Sequence, residues 1–263
     1  YFNTLKRNVF EVRETQWKNK TIAFLGDSIT EGVGITPEKG FWKCLEKELG
    51  CVSISFGKSG MVFKELCAQA DEMHKVCGDK LDAVVLFAGT NDYNDGVPMG
   101  NWYTEPADCE VIVGYGDDNR PIYAARKRRE FNTDTSTFRG SINAVMKRVK
   151  GYYPTKQIII MTPLHRAYAN FGGNNIQYDE MHTDKGGFYL DEYIAVLKET
   201  PNVWACDIID LHAKSGLFPL DDTHASAFFC SSETDRLHPN VKGHKRIAEA
   251  MAAAMTAIPV FSD

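Results

Sequence analysis

Short apolar runs alternate along this chain with longer segments in which apolar residues recur at helical spacing. Most of these runs are apolar at successive positions, which is typical of strands buried on both faces. Strands of this kind, separated by helices, form parallel sheets that helices cover on each side. The sequence therefore predicts an α/β fold with five parallel strands, at residues 21–25, 52–56, 83–87, 158–161 and 203–206.

The segments between these runs predict helices at about residues 41–49, 62–76, 136–149, 187–198 and 241–256. Five strands alternating with helices fit a flavodoxin-like three-layer sandwich, whose ligands bind beyond the carboxyl ends of the strands. No internal repeat and no break in composition divides the 263 residues. We expect one domain over residues 1–263, with its core at about 21–256.

Two long segments follow predicted strands without a clear period of their own. Residues 93–134 predict a long loop insertion, and residues 162–184 a second irregular connection. Irregular segments much longer than about 15 residues are uncommon in compact domains unless they are functional or mobile. Both begin at the edge of the sheet where a ligand is expected, so their aromatic and polar residues are candidates for substrate binding: Trp102, Tyr103, His165 and Arg166.

Composition excludes several classes of function. The formal net charge of −5 argues against nucleic acid as a partner, because phosphate binding favours a basic surface. The apolar runs are only a few residues long, far short of the roughly 20 that a membrane span needs. Seven cysteines without a Cys-x-x-Cys pair argue against a zinc ribbon or a redox dithiol. Because residue 1 is Tyr rather than Met, a cleaved leader peptide, and with it a secreted or periplasmic location, stays open.

Chemically active residues follow the predicted strands in a regular order. Ser28 follows the first strand in a Gly-Asp-Ser turn, Gly60 follows the second, and Asn91 follows the third in a Gly-Thr-Asn turn. Asp235 and His238 lie beyond the fifth strand, immediately before the last helix. Together they supply a hydroxyl, a backbone amide, a carboxamide, a carboxylate and an imidazole. Acyl transfer needs this inventory of nucleophile, oxyanion donors, base and base-orienting group.

These motifs resemble those of the SGNH hydrolases, the GDSL-type esterases and lipases, in their order and in the elements that carry them. The resemblance extends from about residue 21 to 256 and implies the SGNH hydrolase fold. It also implies two sets of site residues: the catalytic residues Ser28, Asp235 and His238, and the oxyanion donors Ser28, Gly60 and Asn91. One departure is that the family's second motif often carries Asn where Ser55 or a near neighbour stands here.

Asp-x-x-His alone identifies nothing, because the chain contains four copies of it. The other three are Asp71–His74 in a predicted helix and Asp179–His182 and Asp221–His224 in predicted loops. Only Asp235–His238 lies where a flavodoxin-like topology returns the chain to the carboxyl ends of the strands. The ordered set of motifs, and not any single one, supports the prediction.

The sequence thus predicts a serine esterase that works through an acyl-enzyme on a small-molecule ester, without a cofactor or a metal. Aromatic residues in the two long segments suit stacking on a sugar ring, which favours a short-chain, acetyl-type ester on a carbohydrate. Two alternatives stay open: a lipid or thioester acyl hydrolase, and a catalytically inactive fold that only binds sugars. A binding module would not need the five residues of the predicted site together.

Overall fold

The structure, a computed structural model, describes residues 15–261 of the chain. In chain order, the strands of this part are β1 (Thr21–Gly26), β2 (Val52–Ser55), β3 (Ala83–Phe87), β4 (Ala107–Tyr115), β5 (Pro121–Arg128), β6 (Gln157–Met161), β7 (Ala169–Asn170), β8 (Ile176–Gln177), β9 (Asp207–Ile209), β10 (Phe229–Ser231) and β11 (Asp235–Pro239).

The α-helices of the same part are α1 (Ser28–Glu31), α2 (Phe41–Leu49), α3 (Leu66–Cys77), α4 (Thr90–Asp95), α5 (Phe138–Tyr152), α6 (Leu190–Trp204), α7 (Leu211–Lys214), α8 (Asp222–Phe228) and α9 (Val241–Met255). Short 3-10 helices cover Pro37–Lys39 and Phe63–Glu65. Within residues 15–261, no helix is both long enough and apolar enough to cross a membrane.

Five parallel strands form the main sheet in the order β2-β1-β3-β6-β9, which confirms the predicted fold class. The register aligns Gly26 with Phe87, Phe87 with Met161, and Met161 with Ile209. The carboxyl ends of four neighbouring strands therefore lie in one row. We call this row the carboxyl edge. The loops that follow these four strands all begin there.

Alternate residues of the central strands fill two hydrophobic layers. On one face, Val84 and Leu86 pack with residues of α3, α5 and α6. On the other face, Val85 and Phe87 pack with residues of α2 and α9. Every residue of β3 is buried, because helices cover both faces of the sheet. A sheet buried in this way gives the turns at its carboxyl edge a rigid support.

The predicted fifth strand was wrong in position. Residues 203–206 do not form it: Val203 and Trp204 end α6, and β9 begins only at Asp207. The helix continues past Pro201 because Trp204 gains tertiary contacts that outweigh the lost helical hydrogen bond. Its indole N–H donates to the side chain of Asn143 at 2.7 Å. The composition of the segment around Trp204 does not predict such tertiary contacts.

The insertion at 93–134 is more regular than predicted. Its central part is an antiparallel hairpin of β4 and β5, paired from Ala107 with Arg128 to Tyr115 with Pro121. Both faces of this hairpin are largely exposed, so its sequence shows no alternation of apolar and polar residues that would have indicated strands.

The segment 162–184 contributes β7 and β8 to a second, small sheet in the order β10-β11-β7-β8. Asp235 of β11 pairs with Ala169 of β7 in antiparallel register. A loop that follows the fourth strand of the main sheet therefore supports the segment just before the last helix.

At Gly57 the loop after β2 packs closely against helix α1. A Cβ atom at Gly57 would lie 2.4 Å from the backbone nitrogen of Glu31 and 2.4 Å from the carbonyl carbon of Thr30. We expect Gly57→Ala to lower the free energy of unfolding by about 1–3 kcal/mol in urea denaturation, because backbone must move to admit the methyl group.

The matched control is Gly151→Ala, in α5, where an added Cβ would meet no atom within 4 Å. This variant should be neutral or more stable by up to about 1 kcal/mol, since alanine favours a helix over glycine. Equal stabilities of the two variants would contradict the close approach.

Candidate active site

Ser28 is the first residue of α1 and lies directly beyond the carboxyl edge of β1. Asp27 caps this helix by accepting a hydrogen bond from the N–H of Ile29 at 3.0 Å. Burial raises the pKa of Asp27 to about 6, since no water solvates its charge. Ser28 is 7% exposed, so its hydroxyl is held on a buried turn and not on a mobile loop.

His238 joins this serine to Asp235. Its Nε2 lies 2.9 Å from Ser28 Oγ, and its Nδ1 lies 2.9 Å from Asp235 Oδ2. Asp235 and His238 both belong to strand β11. A carboxylate at Nδ1 keeps the proton on that nitrogen and leaves Nε2 free to accept the serine proton. The three predicted catalytic residues therefore form one hydrogen-bonded chain.

The surroundings of Asp235 favour its ionised form. Burial works to raise its pKa, but the hydrogen bond and charge of His238 and two backbone N–H groups outweigh burial and hold the pKa below its ordinary value. Those N–H groups belong to Leu237 and His238, and they donate to Oδ1 at 3.1 and 3.0 Å. One oxygen of Asp235 is thus anchored by backbone, and the other orients the imidazole.

The other three Asp-x-x-His pairs have different partners. In the first, the aspartate bonds a tyrosine and an arginine, and the histidine stacks on that tyrosine. In the second the two side chains contact each other at 2.8 Å, and in the third the aspartate caps a helix. In the described part of the chain, no serine is hydrogen-bonded to any of these histidines, which are His74, His182 and His224.

The predicted oxyanion donors lie on three turns at the carboxyl edge. The N–H of Ser28 opens α1 and so has no acceptor within the helix. The N–H of Gly60 has no acceptor within residues 15–261, and Gly60 adopts a φ of 76° with open space where a side chain would be. Asn91 uses one amide N–H on the carbonyl of Met61 at 3.0 Å, which leaves its second N–H for a ligand.

The loop that carries Gly60 is held from both sides. On one side, the Glu31 carboxylate of α1 accepts hydrogen bonds from the N–H, at 2.7 Å, and the hydroxyl of Ser59. On the other side, Asp92 of α4 accepts the N–H of Phe63 at 2.9 Å. Residues on either side of the glycine are therefore anchored to the helices that carry Ser28 and Asn91.

Asp92 holds this loop from a fully buried position. Burial raises its pKa to about 8, although the hydrogen bond from Phe63 opposes that rise. The neighbouring Asp27 adds to the rise, because two carboxylates near each other resist a second negative charge. The raised pKa favours the neutral form of Asp92, which serves as a structural acceptor for this loop.

The structure does not bring Trp102 and Tyr103 to Ser28. Tyr103 stacks with Phe131 at 5.6 Å between ring centroids, and Phe131 stacks on Trp204 at 4.3 Å. Because Trp204 shortly precedes β9, this stack lies toward the amino end of that strand, opposite the carboxyl edge. The indole of Trp102 donates to Glu199 near the end of α6, at 2.6 Å. Both aromatic residues therefore pack the insertion against α6.

Arg166 lies beneath the site and not on its surface. It is 1% exposed and donates to the carbonyl of Thr90 at 3.0 Å and to Gln177 at 2.6 Å. Burial lowers its pKa to about 10, which still leaves it charged at neutral pH. It therefore ties strand β8 to the helix that carries Asn91, and a substrate cannot reach it. The side chain of His165 contacts the carboxylate of Glu180.

Phe171, in the segment 162–184, lies at the site but is not among the predicted substrate-binding residues. Its ring lies 5.2 Å from that of His238, between centroids, and the residue is 40% exposed. It belongs to the turn between β7 and β8, and the pairing of β7 with β11 brings this turn to His238. Nothing in the sequence near Phe171 shows that pairing, so an alignment of motifs cannot find it.

Comparison with known proteins gives one family and several solved structures. The family described as "GDSL-like Lipase/Acylhydrolase family" matches residues 24–246. No curated protein matches the chain.

The solved structures share the fold at low identity. They include a possible lipase from Chitinophaga pinensis, 20% identical with a TM-score of 0.63 over 89% of this chain and 97% of the other. A member of the lipolytic G-D-S-L family from Veillonella parvula is 16% identical, with a TM-score of 0.58 over 91% and 100%. An acetyl xylan esterase is 19% identical, with a TM-score of 0.53 over 89% and 98%. Identities this low show the fold alone.

The raised pKa of Asp92 predicts a pH-dependent stability that Asp92→Asn should remove. Between its ordinary value and about 8, the folded chain keeps a proton on Asp92 that the unfolded chain releases. Wild-type stability should therefore fall, relative to that of Asp92→Asn, as pH rises from 4 to 8. Urea denaturation at several pH values measures this difference in the free energy of unfolding.

Asp95→Asn is the matched control, because Asp95 is exposed at the end of the same helix and its replacement removes no buried carboxylate. A difference between wild type and Asp92→Asn that stays constant from pH 4 to 8 would show that Asp92 carries no buried proton.

Proposed function

Because this chain belongs to the GDSL-like lipase/acylhydrolase family, we propose that it is a serine esterase that hydrolyses carboxylic esters through an acyl-enzyme. The observation that carries the proposal is the hydrogen-bonded chain from Ser28 through His238 to Asp235. It supplies a nucleophile, a base and an orienting carboxylate, each in the geometry that nucleophilic catalysis needs.

In the acylation step, Ser28 Oγ attacks the carbonyl carbon of the ester while Nε2 of His238 takes the hydroxyl proton. Asp235 holds the proton on Nδ1 and stabilises the imidazolium that forms. The carbonyl oxygen becomes an oxyanion, which receives hydrogen bonds from the N–H groups of Ser28 and Gly60 and from the amide of Asn91. Each such donor contributes about 3 kcal/mol to lowering the barrier in comparable hydrolases.

The tetrahedral intermediate then collapses. Its bond to the alcohol oxygen breaks, and His238 returns its proton to that oxygen, which releases the alcohol and leaves the acyl group on Ser28. In deacylation a water molecule gives a proton to His238 and attacks the acyl carbon. Collapse of this second intermediate returns the proton to Ser28 and releases the carboxylic acid, so the enzyme is restored.

The surroundings of Ser28 favour a small acyl group. A cavity of about 10 Å³ lies beside the nucleophile turn, lined by the residues that flank Ser28 and by Leu237 next to the catalytic histidine. A volume of about 10 Å³ is at the limit for a single water molecule, so this cavity cannot hold a fatty acyl chain. The exposed ring of Phe171 beside His238 gives a flat surface on which the alcohol part of a sugar ester could stack.

We therefore propose an acetyl-type ester of a carbohydrate, or of a similarly small alcohol, as the substrate. The likeness of the fold to an acetyl xylan esterase supports this class, and the likeness to a possible lipase supports the alternative of a longer acyl chain. The intact triad argues against a fold that only binds sugars.

Rates on p-nitrophenyl acetate, butyrate and octanoate test the proposal. Wild-type protein should hydrolyse the acetate with the highest kcat/KM, because the cavity beside Ser28 does not admit a long chain. Ser28→Ala and His238→Ala should each lower kcat by about 10⁴–10⁶, the range found when a triad member of a serine hydrolase is removed.

His224→Ala is the matched control, because His224 occupies the same Asp-x-x-His pattern without a serine partner; its activity should equal that of wild type. A highest rate on octanoate would replace the acetyl class by longer acyl chains. Hydrolysis that survives Ser28→Ala would overturn the serine mechanism.

A further inference from the structure

Three side chains with metal-binding atoms meet at the carboxyl edge, away from the Ser28–His238 pair. His165 follows β6, His212 lies in α7 directly after β9, and Glu180 lies in the connection between β8 and α6. Since β6 and β9 are neighbours in the sheet, the topology places both histidines at adjacent strand ends. In the sequence they are separated by 47 positions, which matches no compact ligand motif.

The potential ligand atoms of these residues converge. One nitrogen of each histidine and one oxygen of Glu180 all lie within 4.8 Å of one another. Nδ1 of His165 lies 2.5 Å from Oε1 of Glu180, and the two imidazole rings are 3.5 Å apart between centroids. Ligands at about 2.1 Å from a tetrahedral zinc ion lie about 3.4 Å from each other. To bind one ion, the His165–Glu180 contact must therefore lengthen, and the two imidazoles must move apart and each turn a nitrogen toward a common centre.

The cluster is supported by a second layer of hydrogen bonds. Oε2 of Glu180 accepts the backbone N–H of Arg166 at 2.8 Å, which leaves Oε1 to face the histidines. The backbone N–H of His212 donates to the hydroxyl of Thr162 at 3.0 Å and so fixes the start of α7. The Glu180 side chain is only 8% exposed, so this carboxylate has a defined position. Outer contacts of this kind orient the ligands of metal sites.

One nitrogen of the cluster has no hydrogen-bond partner in the part of the chain that the structure describes. Nδ1 of His212 is buried, and no hydrogen-bond partner for it exists among the described residues. Buried polar atoms are nearly always paired, so an unpaired imidazole nitrogen beside a second imidazole and a carboxylate calls for an explanation. A metal ion shared by the three side chains accounts for their convergence.

We propose that His165, Glu180 and His212 bind one divalent transition-metal ion, with zinc as the best match. Two imidazoles and one carboxylate form a ligand set that zinc and similar transition metals prefer, whereas calcium and magnesium prefer oxygen ligands alone. A cleft of about 390 Å³, lined by Glu180, His212 and Asp191 among others, opens onto the site. The cleft gives water or a ligand access to a fourth coordination position.

The metal would link the β7–β8 hairpin, which supports strand β11, to helix α7. Between His165 and Glu180 the chain forms the β7–β8 hairpin, which pairs with β11 and places Phe171 against His238. Coordination to His212 would tie the base of this hairpin to α7. Zinc should therefore raise the melting temperature of the folded chain, since it binds the folded form in preference to the unfolded one.

Metal binding is tested with the full chain, without a polyhistidine tag, after removal of metal with a chelator and in the presence of a reductant. Titration with Zn²⁺ in a calorimeter should give one site per chain. His212→Ala and Glu180→Gln should each weaken binding at least about 100-fold, because loss of a ligand costs no less than loss of an outer contact. The rise in melting temperature with zinc should disappear in both variants.

His182→Ala is the matched control. His182 belongs to the same loop and contacts Asp179 at 2.8 Å, but it is not part of the cluster and its side chain is 63% exposed. Zinc binding by this variant should equal that of wild type. Co²⁺ in place of Zn²⁺ should show no charge-transfer absorption from thiolate, since no cysteine belongs to the cluster.

The absence of stoichiometric binding to wild type would overturn the proposal. So would binding that survives in His212→Ala and Glu180→Gln, or a thiolate band with Co²⁺. Both of these results would place the metal elsewhere, and neither depends on whether the protein hydrolyses esters.

Discussion

The hydrogen bond between Ser28 and His238 joins two residues 210 positions apart, and much of the fold serves to make it. Ser28 is placed by the first strand of a fully buried sheet, so its position depends on the central core. His238 is placed by β11, which belongs to the small second sheet and pairs with β7. This contact therefore depends on how the second sheet docks at the carboxyl edge of the first.

The loop after β2, which carries the proposed oxyanion donor Gly60, is held by contacts from a single helix. Asn91 and Asp92 are consecutive residues of α4, and each holds a different residue of the loop after β2. Asp92 does so from a buried position, where burial raises its pKa to about 8 and so favours its neutral form. A neutral acceptor anchors the loop near Ser28 without placing a fixed negative charge where an oxyanion develops. The proposed oxyanion donor and a residue that stabilises the same loop are thus neighbours in the sequence.

Much of this architecture could be predicted because local signals agree with the fold. The apolar runs at β1, β3 and β6 are buried on both faces, so their composition alone identifies them. The order of motifs at the strand ends then points to Ser28 and to the four residues that accompany it.

What could not be predicted depends on contacts between distant segments. Trp204 continues a helix where its composition suggested a strand, because its indole packs on the insertion. Phe171 reaches His238 only through the pairing of β7 with β11, and Tyr103 is drawn to α6 by an aromatic stack. The cluster of His165, Glu180 and His212 is likewise assembled by the neighbouring positions of β6 and β9.

The measurement that tests the central contact most directly is labelling of the intact chain with a fluorophosphonate, read by peptide mass spectrometry. The account predicts one label per chain, on Ser28, and its loss in His238→Ala, because the serine needs the imidazole to become nucleophilic. Labelling of another residue, or labelling of Ser28 at an unchanged rate without His238, would contradict it.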